Sequence, residues 1–184
     1  MNIYQALNSS YTLLNNNSKT KRLDCEILLA ECLRIKSRLD LFLNLNQALT
    51  QDEICTFFDL IKERQKYKPI SKIIKKKEFW NFEVDVSKKV LIPRPETEVL
   101  LDLVSRVLKK NLNIRFLDVG CGSGCISLAL LNIFSNSSGE AFDLSRDAVL
   151  SAKLNLKKYN KLNRVKVFQK DLFQFKTDKK YDLI

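Results

Sequence analysis

Three alternate glycines, placed after an apolar strand and directly before an apolar helix, constrain this chain more than any other feature. The segment Ile114-Arg115-Phe116-Leu117-Asp118-Val119-Gly120-Cys121-Gly122-Ser123-Gly124 uses three of the four glycines in the sequence. Glycine adopts torsions that other residues resist and lets a ligand approach the main chain closely. The helix behind the turn presents unpaired N–H groups at its N-terminus. Nucleotide and nucleoside cofactors bind at such strand-end crevices in open parallel sheets. The dinucleotide pattern G-x-G-x-x-G fails here, because its third glycine position is Cys125, and the Gly-Lys-Ser/Thr of a P-loop is absent. The plain alternative is a tight turn with no ligand. Spending nearly all the glycine of a chain in one turn weighs against it.

Beyond Asn113 the pattern alternates strand and helix. Strands are expected at Ile114–Val119, Glu140–Leu144, Val165–Gln169 and Tyr181–Ile184, with helices at Cys125–Phe134 and Arg146–Tyr159. Gly139-Glu140 weakens the second strand. The alternation predicts a parallel sheet with crossover helices, an α/β layer fold. Asp143 lies 19 residues after Gly124, at the end of the second expected strand. A carboxylate there can accept both hydroxyls of a ribose. Asp171 ends the third strand, where an adenine-edge contact is expected, and Leu172 beside it would pack on the ring. An Asp before a helix is also a common N-cap, which is the bland reading of Asp171.

The first 68 residues read differently. Apolar residues recur at helical spacing, with Leu23, Ile27, Leu28, Cys32 and Leu39 on one expected face. Thr50-Gln51-Asp52-Glu53 has the form of a capping box and opens a helix carrying Ile54, Phe57, Phe58 and Ile61. The region predicts a bundle of about four helices, with Asn15-Asn16-Asn17 as a connecting loop. Its apolar stripes read as core packing. Pro69 ends this helical region. Phe79–Val86 suggests a strand pair. Two prolines hold Ile92-Pro93-Arg94-Pro95 extended, and Glu96 and Glu98 then fall in the first turn of a helix, where its dipole favours anions. Val99, Leu100, Leu103, Val104 and Val107 are expected on that helix's buried side.

Composition bounds the function. With 184 residues, 45% of them hydrophobic, the chain can form one full domain plus a small one, or part of a second. No apolar run is long enough for a membrane span. The opening Met1-Asn2-Ile3-Tyr4-Gln5 lacks the features of a secretory signal. There is no histidine, and the five cysteines form no CxxC pair, so no zinc site is expected and the thiols read as reduced and cytoplasmic. Acid–base chemistry would fall to carboxylates, Tyr, Lys, Cys or backbone groups. The net charge of +11 comes from lysines spread along the whole chain beside abundant Asn and Ile. No basic stripe is interleaved with spaced aromatics, so the charge reads as compositional bias ahead of nucleic-acid binding.

Taken together, Asp24-Cys25-Glu26-Ile27-Leu28-Leu29, Glu78-Phe79-Trp80, Leu91-Ile92-Pro93-Arg94-Pro95-Glu96-Thr97-Glu98 and Phe116–Gly124 resemble the HemK/PrmC family in order and spacing. The Asp118-x-Gly120-x-Gly122-x-Gly124 pattern resembles motif I of class I S-adenosylmethionine-dependent methyltransferases, and the I-P-R-P-E-T-E segment is the more diagnostic part. The resemblance covers essentially the whole chain. It implies a class I, Rossmann-like methyltransferase domain, incomplete at the C-terminus and preceded by a small all-α bundle. The division is 1–68 for a substrate-docking helical domain, 69–98 for a linker and β-hairpin with the I-P-R-P-E-T-E segment, and 99–184 for the first part of the methyltransferase domain.

The resemblance further implies S-adenosyl-L-methionine as cofactor, held by Gly120, Cys121, Gly122, Ser123, Gly124, Asp143, Asp171 and Leu172, with no metal. Its substrate would be the glutamine side-chain amide in the Gly-Gly-Gln motif of peptide chain release factors, met by a cytoplasmic monomer that touches nucleic acid only indirectly. An Asn-Pro-Pro-Tyr motif that grips the amide is expected beyond Ile184, since the sequence ends within the strand that should deliver it. Lys75 stands where the family usually places a glycine. Two other readings are a nucleic-acid amino-group methyltransferase and a non-catalytic cofactor-binding remnant.

Overall fold

The computed structural model describes residues 1–14, 19–35, 37–109 and 112–184. The chain divides into two units, Met1–Ile74 and Lys75–Ile184. The Asn15-Asn16-Asn17 loop lies outside the described residues.

Capping chemistry sets the helices of the first unit. Asn2 and Gln5 close a reciprocal capping box on α1 (Ile3–Leu13). α2 (Lys21–Cys32) and α3 (Arg38–Leu43) follow, and Thr50 with Glu53 caps α4 (Gln51–Gln65) as the sequence predicts. Pro69 does not end the helical region. It starts the single-turn α5 (Ile70–Ile73), whose Ile73 joins the core of this unit. The boundary therefore falls after Ile74, six residues later than the sequence suggests.

The expected stripe holds only in part. Leu28 is buried on α2 as expected, whereas Leu23 is 37% exposed and Leu39, which falls on α3, is 65% exposed. Two buried carboxylates also occupy the inward side of α2. Asp24 pairs with Arg64 of α4 at 2.8 Å, and Glu26 takes Arg38 and the Tyr11 hydroxyl. Acidic residues are rarely buried unless paired, so an apolar-only reading of the helix misses them.

The second unit opens on β1 (Lys76–Phe79) and β2 (Phe82–Asp85), an antiparallel hairpin. The chain then passes through residues 86–95 into α6 (Glu96–Val107). Glu96 and Glu98 do occupy its first turn, and Glu98 accepts the backbone N–H of Trp80 at 3.0 Å. The predicted buried side of α6 is wrong at four positions. Val99, Leu100, Leu103 and Val107 are more than half exposed, and Leu101 is fully buried with Val104 and Leu108 beside it. The helix thus packs through a narrow line of residues three and four apart.

Three parallel strands follow in the order β3 (Arg115–Val119), β4 (Ser138–Asp143), β5 (Val165–Gln169). The crossovers are α7 (Cys125–Ile133) and α8 (Arg146–Lys158). Neither Gly139 nor Glu140 breaks β4. Gly139 sits opposite Phe116, whose ring would lie only 2.5 Å from a β-carbon there, and Glu140 is held by Lys179 and Tyr181. The fourth expected strand is reduced to one parallel bridge, Phe116 with Leu183. On the sheet face carrying Phe142 and Phe168, Phe175 covers the two rings, its own ring 4.6 Å from Phe142. The opposite face, with Phe116, Ala141, Val165 and Val167, packs with residues of α7 and α8 in the main core.

Candidate cofactor site

The parallel order brings the C-terminal ends of β3, β4 and β5 to one edge, where the glycine turn, Asp143 and Asp171 follow their strands. Gly120, Gly122 and Gly124 all have positive φ, between +55° and +76°, the region that favours glycine. Their surroundings differ. A β-carbon on Gly120 would meet nothing within 4 Å, so this residue faces open space. At Gly122 the strap after β2 comes close, with Val90 Cγ2 3.7 Å from the β-carbon position. Gly124 is pressed against Ala152 of α8.

Gly124 is the N-cap of α7 and has no side chain to satisfy the helix. Asp118 supplies the missing acceptor from the strand: its Oδ2 takes Ser127 Oγ at 2.5 Å and the Ser127 N–H at 3.2 Å. Burial pushes the Asp118 carboxyl above the usual carboxylate range, and the Ser127 bonds oppose that rise. Asp118 is therefore a strut of the turn. Burial likewise raises the Cys121 thiol, and it lifts Cys125 to about 11. Neither thiol has the thiolate character of a nucleophile.

Asp143 joins the turn from the neighbouring strand. Gly122 N–H donates to its Oδ2 at 3.0 Å, and Ser145 N–H donates to Oδ1 at 2.8 Å. Each carboxylate oxygen keeps a lone pair for a further donor. Val119, Gly120, Leu144 and Leu172 are exposed along the same edge. An apolar rim around a carboxylate and an open glycine backbone suits a nucleoside with a charged amino-acid tail.

The residues proposed from sequence are not equal in this structure. Gly122 and Asp143 are joined by a backbone-to-carboxylate hydrogen bond, and Gly120, two residues earlier in the turn, faces open space. The side chains of Cys121 and Ser123 are buried, and Gly124 is committed to packing. Asp171 Oδ1 accepts the Phe173 N–H at 2.9 Å and caps the short Leu172–Gln174 turn. Sequence reasoning passed over Val90, Ser127 and Asn155. Only Asn155, an amide on the inward side of a helix stripe otherwise made of small and apolar residues, carried a readable signal. Among the described residues, no group of three or more His, Cys, Asp or Glu side chains could hold a metal ion, and no helix is long and apolar enough to cross a membrane.

Comparison with known proteins follows this division. Residues 5–74 match the PrmC N-terminal domain and residues 97–184 match the methyltransferase small domain. The release factor glutamine methyltransferase of Coxiella burnetii is 38% identical over 86% of this chain and 57% of its own length. That of Shewanella oneidensis is 35% identical over 99% of this chain and 63% of its own. A bifunctional methyltransferase of Rickettsia typhi is 34% identical over 99% of this chain and 39% of its own. The chain thus spans about 60% of the length of the first two relatives. With a PrmC N-terminal domain preceding a methyltransferase small domain whose glycine turn is braced from the next strand, the chain belongs to the HemK/PrmC family of methyltransferases.

Proposed function

We propose that residues 75–184 hold S-adenosyl-L-methionine at the C-terminal edge of β3–β5, and that the protein methylates the glutamine side-chain amide in the Gly-Gly-Gln motif of release factors. The observation that carries this reading is the Gly122–Asp143 contact beside the open face of Gly120. Asp143 would accept the ribose hydroxyls, the backbone at Gly120 would lie along the amino-acid end, and Leu172 and Asp171 would take the adenine.

When bound, the cofactor supplies a sulfonium-activated methyl group. The receiving amide nitrogen is a poor nucleophile, because its lone pair is delocalised into the carbonyl. The work left to the protein is alignment, and orientation can remove about 7–11 kcal/mol of such a barrier. In this chain, Asp118 and Asp143 fix the turn from two strands, and the strap at Val90 closes over it. The helical unit would dock the release factor, with the protein acting as a cytoplasmic monomer.

Calorimetric titration with S-adenosyl-L-homocysteine tests the site. Asp143→Ala is expected to weaken binding by about tenfold to a hundredfold, the loss of hydrogen bonds to a charged acceptor. Unchanged affinity would show that the ribose lies elsewhere. For the substrate, labelled methyl should enter a release factor and vanish when its motif glutamine is replaced by alanine. Label persisting on that variant would defeat the substrate assignment.

A further inference from the structure

We infer that Asn155 is a positioning residue of the glycine turn, using one side-chain amide to lock the turn and the 86–95 strap at a fixed separation. Asn155 lies on α8 and is fully buried. Its Oδ1 accepts the backbone N–H of Asp85 at 2.7 Å, and its Nδ2 donates to the Asp85 carbonyl at 3.0 Å. The amide therefore engages both polar groups of one peptide residue, as a neighbouring strand would. The same Nδ2 donates to the Ser123 carbonyl at 2.9 Å, inside the glycine turn.

These three bonds close a ring of contacts. Asp85 ends β2, and its Oδ1 takes the N–H and hydroxyl of Ser87, turning the chain into the strap. The strap comes back over the turn where Val90 meets Gly122. Ser123 then returns the path to Asn155. Asn suits this position because it offers an acceptor and two donors on one planar group. Asp at 155 would keep an acceptor for Asp85 N–H but would face two carbonyls without donors. Leu would leave the Asp85 N–H and the Ser123 carbonyl unpaired, each costing more than the bond itself, and the Asp85 carbonyl with only the Ser151 hydroxyl.

The consequence for cofactor binding rests on the functional reading above, whereas the brace itself does not. Amide hydrogen exchange on the 184-residue chain separates the two. In Asn155→Asp, the Gly122 and Gly124 amides and the Val90 amide are expected to exchange about tenfold faster or more, with Ala141 and Val167 in the sheet unchanged. S-adenosyl-L-homocysteine affinity should fall by a similar factor. Ser151→Ala is the control, since Ser151 Oγ also donates to the Asp85 carbonyl, at 3.2 Å, but does not reach the turn. It should leave turn exchange and affinity within about twofold.

Turn exchange that stays at the parent rate, or that rises only together with the sheet, would overturn the proposal by making Asn155 ordinary core. If Asn155→Asp does not fold, the parent protein still decides the matter. Its Asn155 side-chain amide protons should be protected from exchange, and rapid exchange there overturns the brace. A parent that binds no S-adenosyl-L-homocysteine would refute the cofactor reading alone, since the exchange rates stand independently.

Discussion

Gly124, at the start of α7, lies so close to α8 that a β-carbon on it would sit 2.9 Å from Ala152 Cβ and 3.0 Å from Ala152 Cα. Gly120, four residues earlier, shares the positive φ but faces open space. Substituting alanine should separate strain from packing. Gly120→Ala is expected to cost about 1 kcal/mol, the left-handed penalty alone. Gly124→Ala adds an overpacked contact and should cost about 3 kcal/mol. Urea unfolding of both variants checks this, and equal losses would show that α7 and α8 can move apart freely.

Lys75 has φ +62° and enters the hairpin through its carbonyl, which accepts the Val86 N–H at 2.9 Å. The residue therefore keeps the turn that a glycine would make without strain. Lys75→Gly is expected to stabilise the chain by about 1 kcal/mol, since the relief of left-handed strain exceeds the added unfolded-state entropy. A thermal midpoint at or below that of the parent would contradict this.

Arg164 closes the far end of α7. Its guanidinium donates to the carbonyls of Leu131, Phe134 and Ser137, the last from Nε at 2.8 Å. A cation at a helix C-terminus satisfies orphan carbonyls and opposes the negative end of the dipole. Arg164→Met keeps the stem and removes the donors, and should cost about 2–3 kcal/mol. Arg164→Lys should recover only part of that loss, because one ammonium cannot span three carbonyls. Full recovery by lysine would mean that charge alone matters.

Tyr11 gives the helical unit an alkaline limit. Burial, then the charge and hydrogen bond of Glu26, push its hydroxyl from 10.0 up to about 12. A folded value above the unfolded one contributes stability that is complete below pH 10.0 and lost as pH rises toward about 12. Cys25, raised from 9.0 to about 11 by burial, loses its contribution one unit earlier. Stability of the unit should therefore fall between about pH 9 and 12. Tyr11→Phe should remove the upper part of that fall. The absorbance difference between parent and Tyr11→Phe isolates this phenol among the five tyrosines, and a rise of that difference around pH 10, ahead of any unfolding, would show that the burial and Glu26 contact of Tyr11 are not maintained.

Local rules made much of this protein legible before any coordinates. The Thr50–Glu53 capping box, the three strands, the glycine turn and the acidic first turn of α6 depend on neighbours a few residues apart, and such pairs are written directly in the chain. Where an apolar residue could face either of two directions, the sequence was a poorer guide. Val99, Leu100, Leu103 and Val107 read as buried, yet α6 packs through Leu101 together with Val104, the one expected residue that does face the core. Nor does the apolar stripe show that α2 also buries Asp24 and Glu26, against arginines 40 and 12 residues away.

Sequence by itself determined the two kinds of layer, the place of the glycine turn and the carboxylate at Asp143, because periodicity, capping and glycine content are local properties. Only the tertiary structure decided which groups hold that turn in place. Asp118 capping Ser127, Asn155 joining Asp85 to Ser123, and Arg164 closing α7 each link residues that chain spacing does not pair. Their bonds exist because buried N–H and C=O groups must find partners wherever packing delivers them, and packing is settled by the whole chain at once.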